Sequence, residues 1–244
     1  MRFAIFGDIH ANLEALNAVL EDAQAHEVTH HVCLGDIVGY NANPRECLEL
    51  VRNLDCPVVK GNHDEQASMT DDLVGFNPLA EEAINWTRHQ LTETEKQWLR
   101  DLKMVRQVRD FTIVHATLDT PHKWGYVFNQ LDAAASFSYQ HTQLCFYGHT
   151  HVPRAYIRDG PVKSVAFDVV QKTIQLEPGK KYFINCGSVG QPRDGDWHAS
   201  YVLFHPETQT IELRRLEYDI WTAQDKIVEA GLPQRLADRL ALGK

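Results

Sequence analysis

Hydrophobic and polar positions follow two periodicities in the N-terminal quarter of the chain. Segment 2–6 is a short apolar run typical of a buried strand, and segments 31–34 and 57–59 predict two more strands. Between the first two, apolar residues recur every three or four positions and predict a helix: Leu13, Leu16, Leu20 and Ala23. A second helix is predicted to begin at Asn43 and Pro44, because asparagine caps helices and proline fits the first helical position. Strands separated by helices indicate βαβ units and a parallel sheet.

The rest of the chain first continues this alternation and then becomes richer in strands. The middle predicts helix, helix, strand, amphipathic helix and strand, in the order 79–90, 93–102, 111–114, 131–139 and 144–147. Thr92 and Glu95 form a capping-box pattern for the second of these helices. Short strands are predicted further on, at 154–157, 164–170, 182–185, 200–205 and 210–216.

The C-terminal pattern indicates how these elements are arranged. A turn at 206–209 is typical of a hairpin, and two short helices follow it, at 220–230 and 234–240. No repeat, low-complexity segment or linker interrupts the sequence. We therefore predict an α/β fold, with one domain over 1–244 in which two sheets pack face to face and helices lie outside.

Composition restricts the class of protein. The chain has 244 residues, of which 43% are hydrophobic and 23% charged, which is typical of a globular protein with a sizeable core. Its formal net charge of -9 argues against a stable nucleic-acid partner, because binding a phosphate backbone depends on clustered lysine and arginine. The charge is compatible with a small phosphorylated substrate, because bound metal ions can reverse the local field.

The sequence also favours a location in the cytoplasm. Its cysteines are odd in number and contain no C-x-x-C pair, which is typical of reduced thiols. Neither a signal peptide nor an apolar run of roughly 20 residues is evident, so we expect no association with a membrane. A homo-oligomer is compatible with the sequence.

Metal-capable side chains follow the ends of the predicted strands. Segments 7–10, 35–36, 61–64 and 148–151 begin with glycine directly after a strand, and His115 follows a further strand. Because the carboxyl ends of parallel strands meet at one edge, where ligands bind, we expect these side chains to converge. The candidate metal ligands are Asp8, His10, Asp36, Asn62, His115, His149 and His151.

Each of these pieces alone has a simpler interpretation. A single histidine at a strand end is usually an ordinary, partly exposed side chain, and a Gly-Asp pair is usually a turn. The full set would require five such coincidences at equivalent positions, so a metal site is the better interpretation. Imidazole and carboxylate ligands suit manganese, iron or zinc. The absence of thiolate ligands argues against a structural zinc site.

These residues resemble the calcineurin-like metallophosphoesterase superfamily, whose pattern is D-x-H, G-D, G-N-H-D or G-N-H-E, a single His and G-H-x-H. The corresponding positions here are Asp8 to His10, Gly35-Asp36, Gly61 to Asp64, His115 and Gly148 to His151. The later Asn185-Cys186-Gly187-Ser188 is similar to the N-P-G-S segment of small bacterial and archaeal phosphodiesterase-like members.

The resemblance implies a fold and two metal ions. The fold is a four-layer αββα sandwich of two mixed β-sheets flanked by helices. The implied ligand sets are Asp8, His10 and His151 for one divalent ion, and Asn62, His115 and His149 for the other. Asp36 would bridge both ions and act in catalysis, because a shared carboxylate reduces the repulsion between two cations. The bridged water would become hydroxide near neutral pH and attack phosphorus, with manganese expected to support activity in an assay.

His63 is the expected general acid. It follows Asn62, so it would face the leaving group and donate a proton. Its alternative role is to orient Asn62 without touching substrate. Asp64 would either orient His63 or cap the following turn.

Three further residues are expected to bind substrate. Arg193 would clamp a phosphate, because guanidinium matches phosphate oxygens, although a solvated loop arginine is equally compatible with its position. Tyr40 and Asn41 follow Asp36 closely enough to line the pocket.

Departures from the family pattern restrict the kinds of phosphoesterase activity that we expect. Protein serine/threonine phosphatases of this superfamily carry G-D-x-V-D-R-G, whereas segment 35–41 is GDIVGYN and lacks the second aspartate and the arginine. This argues against protein phosphatase activity. Cys186 stands where the later motif usually has proline, and we interpret it as a backbone adjustment and not as a catalytic thiol.

We therefore expect a dinuclear-metal phosphodiesterase acting on a small soluble ester such as a nucleotide or a dinucleoside polyphosphate. The nearest alternative is a phosphomonoesterase with the same site. A non-catalytic interaction module, as in a retromer subunit of this fold, is disfavoured because all the ligands and His63 are present. The net negative charge of the chain argues against a DNA nuclease.

Overall fold

The computed structural model of the protein describes residues 1–71, 73, 77–168 and 170–244. Its strands, numbered in chain order, are β1 Phe3–Phe6, β2 His30–Cys33, β3 Val105–Val108, β4 Phe111–Val114, β5 Leu144–Tyr147, β6 Arg154–Arg158, β7 Val162–Ala166, β8 Thr173–Gln175, β9 Lys181–Asn185, β10 Ala199–His205 and β11 Thr210–Leu216. Its α-helices are α1 Leu13–Ala25, α2 Pro44–Asn53, α3 Asn62–Ser68, α4 Pro78–Gln90, α5 Glu93–Asp101, α6 Gln130–Tyr139, α7 Ile220–Glu229 and α8 Gln234–Leu242. A 3-10 turn lies at Pro121–Lys123.

The strands form two mixed sheets. The first has the order β2-β1-β10-β11-β8, and the second has the order β3-β4-β5-β9-β6-β7. In the first sheet β1 and β2 are parallel, and in the second β4, β5 and β9 are parallel. The other paired strands run antiparallel. Five strands therefore have a parallel partner. Candidate ligands lie in the loops that follow the carboxyl ends of such strands.

Alternation of side chains along the strands produces the layers. In β1, Phe3 and Ile5 face an apolar cluster between the two sheets, whereas Ala4 and Phe6 face a cluster formed with the helices. Burial of each such phenylalanine side chain stabilises the folded state by about 1.5–3 kcal/mol. Seven helices contribute to the cluster outside the first sheet, and α6 packs outside the second. This arrangement confirms the predicted α/β fold, a four-layer αββα sandwich.

Most predicted elements are confirmed within a few residues, but the strand predicted at 57–59 is wrong. Val58 and Val59 make only isolated bridges, to Cys33 and to Lys103 respectively. Consecutive residues therefore pair with different segments of the chain, so no continuous ladder of hydrogen bonds forms. The strand predicted at 164–170 begins earlier and ends sooner, as β7, and its residue 169 lies outside the described part of the chain.

Two further observations concern the surroundings of the fold. None of the helices in the described ranges combines the length and apolar character that crossing a bilayer requires. All five cysteines are free thiols, and Cys56 is the only one of them that is partly exposed.

Candidate metal centre

The predicted ligands converge where the parallel strands of both sheets end. One group of potential ligand atoms comes from Asp8, His10, Asp36 and His151, and a second comes from Asp36, His115 and His149. Within each group the atoms lie within 4.8 Å of one another, and every side chain is buried. Asp36 belongs to both groups. Asn62 is the first residue of α3 and lines the same cavity as His149.

Distances inside the two groups are those of atoms that could surround a cation. His151 Nε2 lies 3.3 Å from Asp8 Oδ1, and His115 Nε2 lies 3.3 Å from Asp36 Oδ2. His10 Nε2 lies 3.6 Å from Asp36 Oδ2 and 3.1 Å from His151 Nε2. Nitrogen and oxygen donors of this kind suit manganese, iron or zinc.

Backbone carbonyls fix which ring nitrogen faces the centre. The Nδ1 atoms of three histidines donate to carbonyl oxygens, at 3.2 Å from His10 to Val38, 2.8 Å from His115 to Leu34 and 2.6 Å from His151 to Gln191. A carbonyl can only accept, so each Nδ1 carries a proton and the Nε2 atom of each ring is the one that faces the centre. His149 has the opposite arrangement, because its Nε2 donates to the carbonyl of Trp124 at 2.8 Å.

This orientation makes a bound cation physically reasonable. The Nε2 lone pairs of His10 and His151 face each other at 3.1 Å, which is unfavourable unless a proton or a cation lies between them. Burial lowers the pKa of both rings, so protonation is disfavoured. The buried Oδ1 of Asn62 adds to this argument, because it has no hydrogen-bond partner among the described residues. These residues therefore fit divalent metal ions.

The second group differs in its electrostatics. Burial is the largest influence on the pKa of His115 and lowers it, but the charge and hydrogen bond of Asp36 outweigh burial and raise the pKa to about 9. Burial raises the pKa of Asp36, but the nearby His115 and His63 outweigh it and hold that pKa well below its usual range. Burial lowers the pKa of His149 to about 3, with a smaller effect from His115. Asp36 is therefore the anionic centre of both groups.

Backbone strain is concentrated at these ligands. Five of the seven candidate ligands have positive φ angles, at 49° for Asp8, 49° for His10, 50° for Asp36, 69° for His149 and 59° for His151. Residues other than glycine adopt this left-handed region at a cost of about 1–3 kcal/mol each. The surrounding hydrogen bonds must therefore hold these loops in place, and strain of this kind is concentrated at functional sites.

Asp64 supplies several of those hydrogen bonds. Its carboxylate accepts from the backbone N–H of Asp36 at 2.8 Å, of Ile37 at 2.9 Å and of Gly61 at 3.0 Å. The bond to Gly61 caps α3, and the other two join α3 to the loop after β2. These contacts support the capping role of Asp64.

The loop after β9 supports the ligands from the other side. Asn185 Nδ2 donates to the carbonyl of Gly148 at 2.6 Å, and Ser188 Oγ donates to the carbonyl of Asp8 at 2.8 Å. Cys186, between them, is buried, and burial raises the pKa of its thiol well above the usual value. That environment agrees with a structural role for Cys186.

His63 and Tyr40 line a cavity of about 220 Å³ beside the centre, together with Asn62, Trp124 and His149. The backbone N–H of His63 donates to Asp36 Oδ1 at 2.8 Å, and its ring lies 4.5 Å from that of Tyr40. The structure thus brings the predicted acid next to the shared carboxylate.

The other two predicted substrate residues lie nearby in different settings. The side-chain amide of Asn41 donates to the carbonyl of His10 at 2.7 Å, so it holds the loop after β1. Arg193 Nη2 lies 3.3 Å from the hydroxyl of Tyr40 and 2.8 Å from Gln191 Oε1. A role of Asn41 in binding substrate stays a prediction.

Sequence reasoning missed the groups that orient the ligands. Trp124 and Val38 contribute backbone carbonyls, which any residue type has, so no sequence signal could identify them. Trp124 also donates from Nε1 to Glu65 Oε2 at 3.1 Å, which ties its loop to α3.

Comparison with known proteins agrees with this geometry. A family model described as the calcineurin-like phosphoesterase superfamily domain matches residues 1–209. The chain is 40% identical over 246 residues to an uncharacterized protein of Methanocaldococcus jannaschii, covering 99% of this chain and 98% of that protein.

Solved structures resemble the whole chain. A metallophosphoesterase from Sphaerobacter thermophilus matches with a TM-score of 0.88 and 42% identity, covering 100% of this chain and 99% of that one. A hypothetical protein from Pyrococcus horikoshii shares the fold, with a TM-score of 0.81 at 20% identity over 100% of this chain and 98% of that one. Since the family model spans every predicted metal ligand, the chain belongs to the calcineurin-like phosphoesterase superfamily, whose chemistry is the metal-dependent hydrolysis of phosphoesters.

Proposed function

We propose that the protein is a phosphodiesterase that holds two divalent metal ions and hydrolyses a small soluble ester such as a nucleotide or a dinucleoside polyphosphate. The observation that carries this proposal is the sharing of Asp36 by two groups of buried metal-capable atoms beside a cavity. A carboxylate common to both groups supports a site for two ions, because it offsets their mutual repulsion.

The proposed ligand sets are Asp8, His10 and His151 for one ion, and Asn62, His115 and His149 for the other, with Asp36 common to both. When bound, the ions would supply Lewis acidity and lower the pKa of water. The carbonyl contacts of the histidines support this assignment, because they occupy Nδ1 and leave Nε2 as the nitrogen that can bind an ion. We propose manganese as the metal that supports activity in an assay.

His63 is proposed to assist departure of the leaving group. Its backbone bond to Asp36 and its contact with Tyr40 hold the ring at the cavity wall. Burial, the largest influence, lowers the pKa of His63 to about 4, so the free ring is neutral. A bound phosphodiester anion would favour the protonated ring, which would take its proton from water and then donate it to the ester oxygen of the leaving group.

Arg193 and Tyr40 are proposed to bind the phosphoryl group. Burial is the largest cause of the lowered pKa values of His10, His63 and His151. The charge of Arg193 lies close enough to the centre to lower them further. A guanidinium in this position offers planar donors to phosphoryl oxygens. The free thiols are in keeping with our proposal of a cytoplasmic location.

The proposal is tested by turnover of bis-p-nitrophenyl phosphate against p-nitrophenyl phosphate with manganese supplied. We expect the diester to be hydrolysed with the higher kcat/KM. Preference for the monoester would favour a phosphomonoesterase, and tight metal binding without hydrolysis of any ester would favour an interaction module.

The matched variant is Asp36→Asn, which keeps the size of the side chain and removes the shared charge. Turnover is expected to fall below detection while the melting temperature without metal stays near that of the metal-free wild type. Asp110→Asn removes an exposed carboxylate in a separate cavity and should leave turnover unchanged. Near-normal turnover of Asp36→Asn would contradict the shared role.

A further inference from the structure

Two arginines from distant parts of the chain converge on one ring beside the metal centre. The guanidinium carbon of Arg193, in the loop after β9, lies 5.6 Å from the centroid of the Tyr40 ring. That of Arg239, in α8, lies 5.8 Å from the same centroid. Tyr40 in turn lines the cavity that contains His63 and His149.

Neither guanidinium forms an ion pair with an aspartate or glutamate side chain among the described residues. Arg193 bonds to the neutral side chains of Tyr40 and Gln191, and its buried Nε has no partner in that part of the chain. Arg239 donates from Nε to the main-chain oxygen of Lys244 at 2.5 Å. Arg214, in contrast, forms an ion pair with Asp22 at 2.9 Å.

The two cations also affect each other. Burial is the first cause that lowers the pKa of Arg239, and the charge of Arg193 is the second. Like charges brought together in a partly dehydrated place destabilise the free protein, and a bound anion removes that penalty. The arrangement therefore favours an anionic ligand over an empty site.

The surface around Arg239 has room for such a ligand. A cavity of about 710 Å³ is lined by Arg235, Arg239 and Lys244, and Asp238 is its only acidic lining side chain within the described residues. Asn77 lines both this cavity and the cavity beside the metal centre, so the two are neighbours. A ligand that fills both would place one end at the metals and another at α8.

We propose that Arg239 recognises a second phosphoryl group of the substrate, next to the one that Arg193 and Tyr40 bind, so that the substrate class is small esters carrying two or more phosphoryl groups. This inference rests on the proposed function, since the first phosphoryl group is the one held at the metal centre. The planar guanidinium suits this task, because it can donate two parallel hydrogen bonds to phosphoryl oxygens.

The test compares pyrophosphate with orthophosphate as ligands of the manganese-loaded full-length protein, by isothermal titration calorimetry at a fixed free manganese concentration. Arg239→Gln should weaken pyrophosphate binding at least tenfold, about 1.4 kcal/mol. Orthophosphate binding should change less than twofold. Arg239→Lys should lie in between, because it keeps the charge and loses the planar fork.

The control is Arg52→Gln, which removes a guanidinium lying 5.9 Å from the ring centroid of Trp98. Arg52 lines a separate cavity without metal-centre residues, so binding of both anions should match the wild type. Pyrophosphate affinity of Arg239→Gln within twofold of the wild type, or an equal loss for both anions, would overturn the inference. Failure of the wild type to hydrolyse any phosphoester would instead refute the proposed function, whatever the outcome for pyrophosphate.

Discussion

At the scale of single residues, the centre depends on two glycines that leave room for carboxylates. A Cβ built on Gly148 would lie 2.4 Å from Asp8 Oδ2, and one on Gly61 would lie 2.0 Å from Asp36 Oδ1. Both distances are far shorter than a normal contact, so a larger residue at either position must displace a proposed ligand. The glycines of the sequence motif thus act through the space that they leave open.

We predict that Gly148→Ala weakens metal binding about 10–100-fold, the range seen when the support of a metal ligand is disturbed. Titration with manganese, followed by calorimetry, measures the change. Gly125→Ala is the matched control, because its Cβ would come no nearer than 3.4 Å to any other atom. Equal metal affinity of the wild type and Gly148→Ala would show that Asp8 is free to move.

His63→Ala separates the two roles considered for this histidine. As a general acid, its loss should lower kcat by about 10²–10⁴-fold while the metal content of the protein stays unchanged. His122→Ala removes an exposed histidine and should leave both quantities unchanged. Loss of metal in proportion to the loss of turnover would instead assign His63 to the support of Asn62.

The sequence predicted the side chains of the centre better than their surroundings. The types and order of the ligands follow from a pattern that recurs at strand ends, so Asp8 and His149 could be found without coordinates. The carbonyl of Val38 and the approach of Arg239 to Tyr40 depend on tertiary packing alone. Arg239 lies far from every motif in the chain, which is why sequence reasoning overlooked it.

At the scale of elements, α1 is joined to the first sheet by a partly buried ionic contact. Asp22 accepts two bonds from Arg214, at 3.1 and 2.9 Å, and one from the Tyr201 hydroxyl at 2.6 Å. Burial is the largest influence on the pKa of Asp22 and raises it, but the bonds from Arg214 and Tyr201 outweigh burial, so the net shift is downward. The contact therefore stabilises the ionised form of Asp22.

Asp22→Asn should lower the free energy of unfolding at pH 7 by about 1.5–3 kcal/mol, the range for hydrogen bonds to charged groups. A lowered pKa means that this stability is present above the unfolded value, about 3.9, and is lost as pH falls through the folded value. Urea unfolding at pH 7 and pH 3 should therefore show the difference shrinking at the lower pH. Glu27→Gln, which breaks an exposed pair with Arg2, should lower the free energy of unfolding by less than about 1 kcal/mol.

Elements with a clear periodicity were predictable, and short polar ones were not. The capping box of Thr92 and Glu95 forms as predicted, and Pro44 begins α2. The sequence of α3 is polar apart from Ala67 and lacks an apolar stripe, so the helix that carries Asn62 was missed. The strands β3 and β8 were missed because both are short and expose most of their residues at the edge of a sheet.

At the scale of the whole molecule, the proposed ligands tie the two sheets together. Asp8 and Asp36 follow strands of the first sheet, and His115 and His149 follow strands of the second. Bound metal should therefore stabilise the packing of one sheet on the other. We also expect the chain to unfold as one domain over 1–244.

Removing metal with a chelator should lower the melting temperature. Ions present at 100 times their Kd stabilise the folded state by about 2.7 kcal/mol, which for a chain of this size is roughly 5–10 °C. Differential scanning calorimetry with manganese and with EDTA measures the shift. Asp36→Asn should show a smaller shift, and an unchanged melting temperature of the wild type would contradict metal binding between the sheets.

The central claim is that two ions share Asp36, and anomalous X-ray scattering from crystals of the manganese-loaded protein tests it most directly. We predict two anomalous peaks, one on either side of the Asp36 carboxylate. One peak should be bounded by the ligands of the first set and the other by those of the second. A single peak, or no peak in contact with Asp36, would contradict the account.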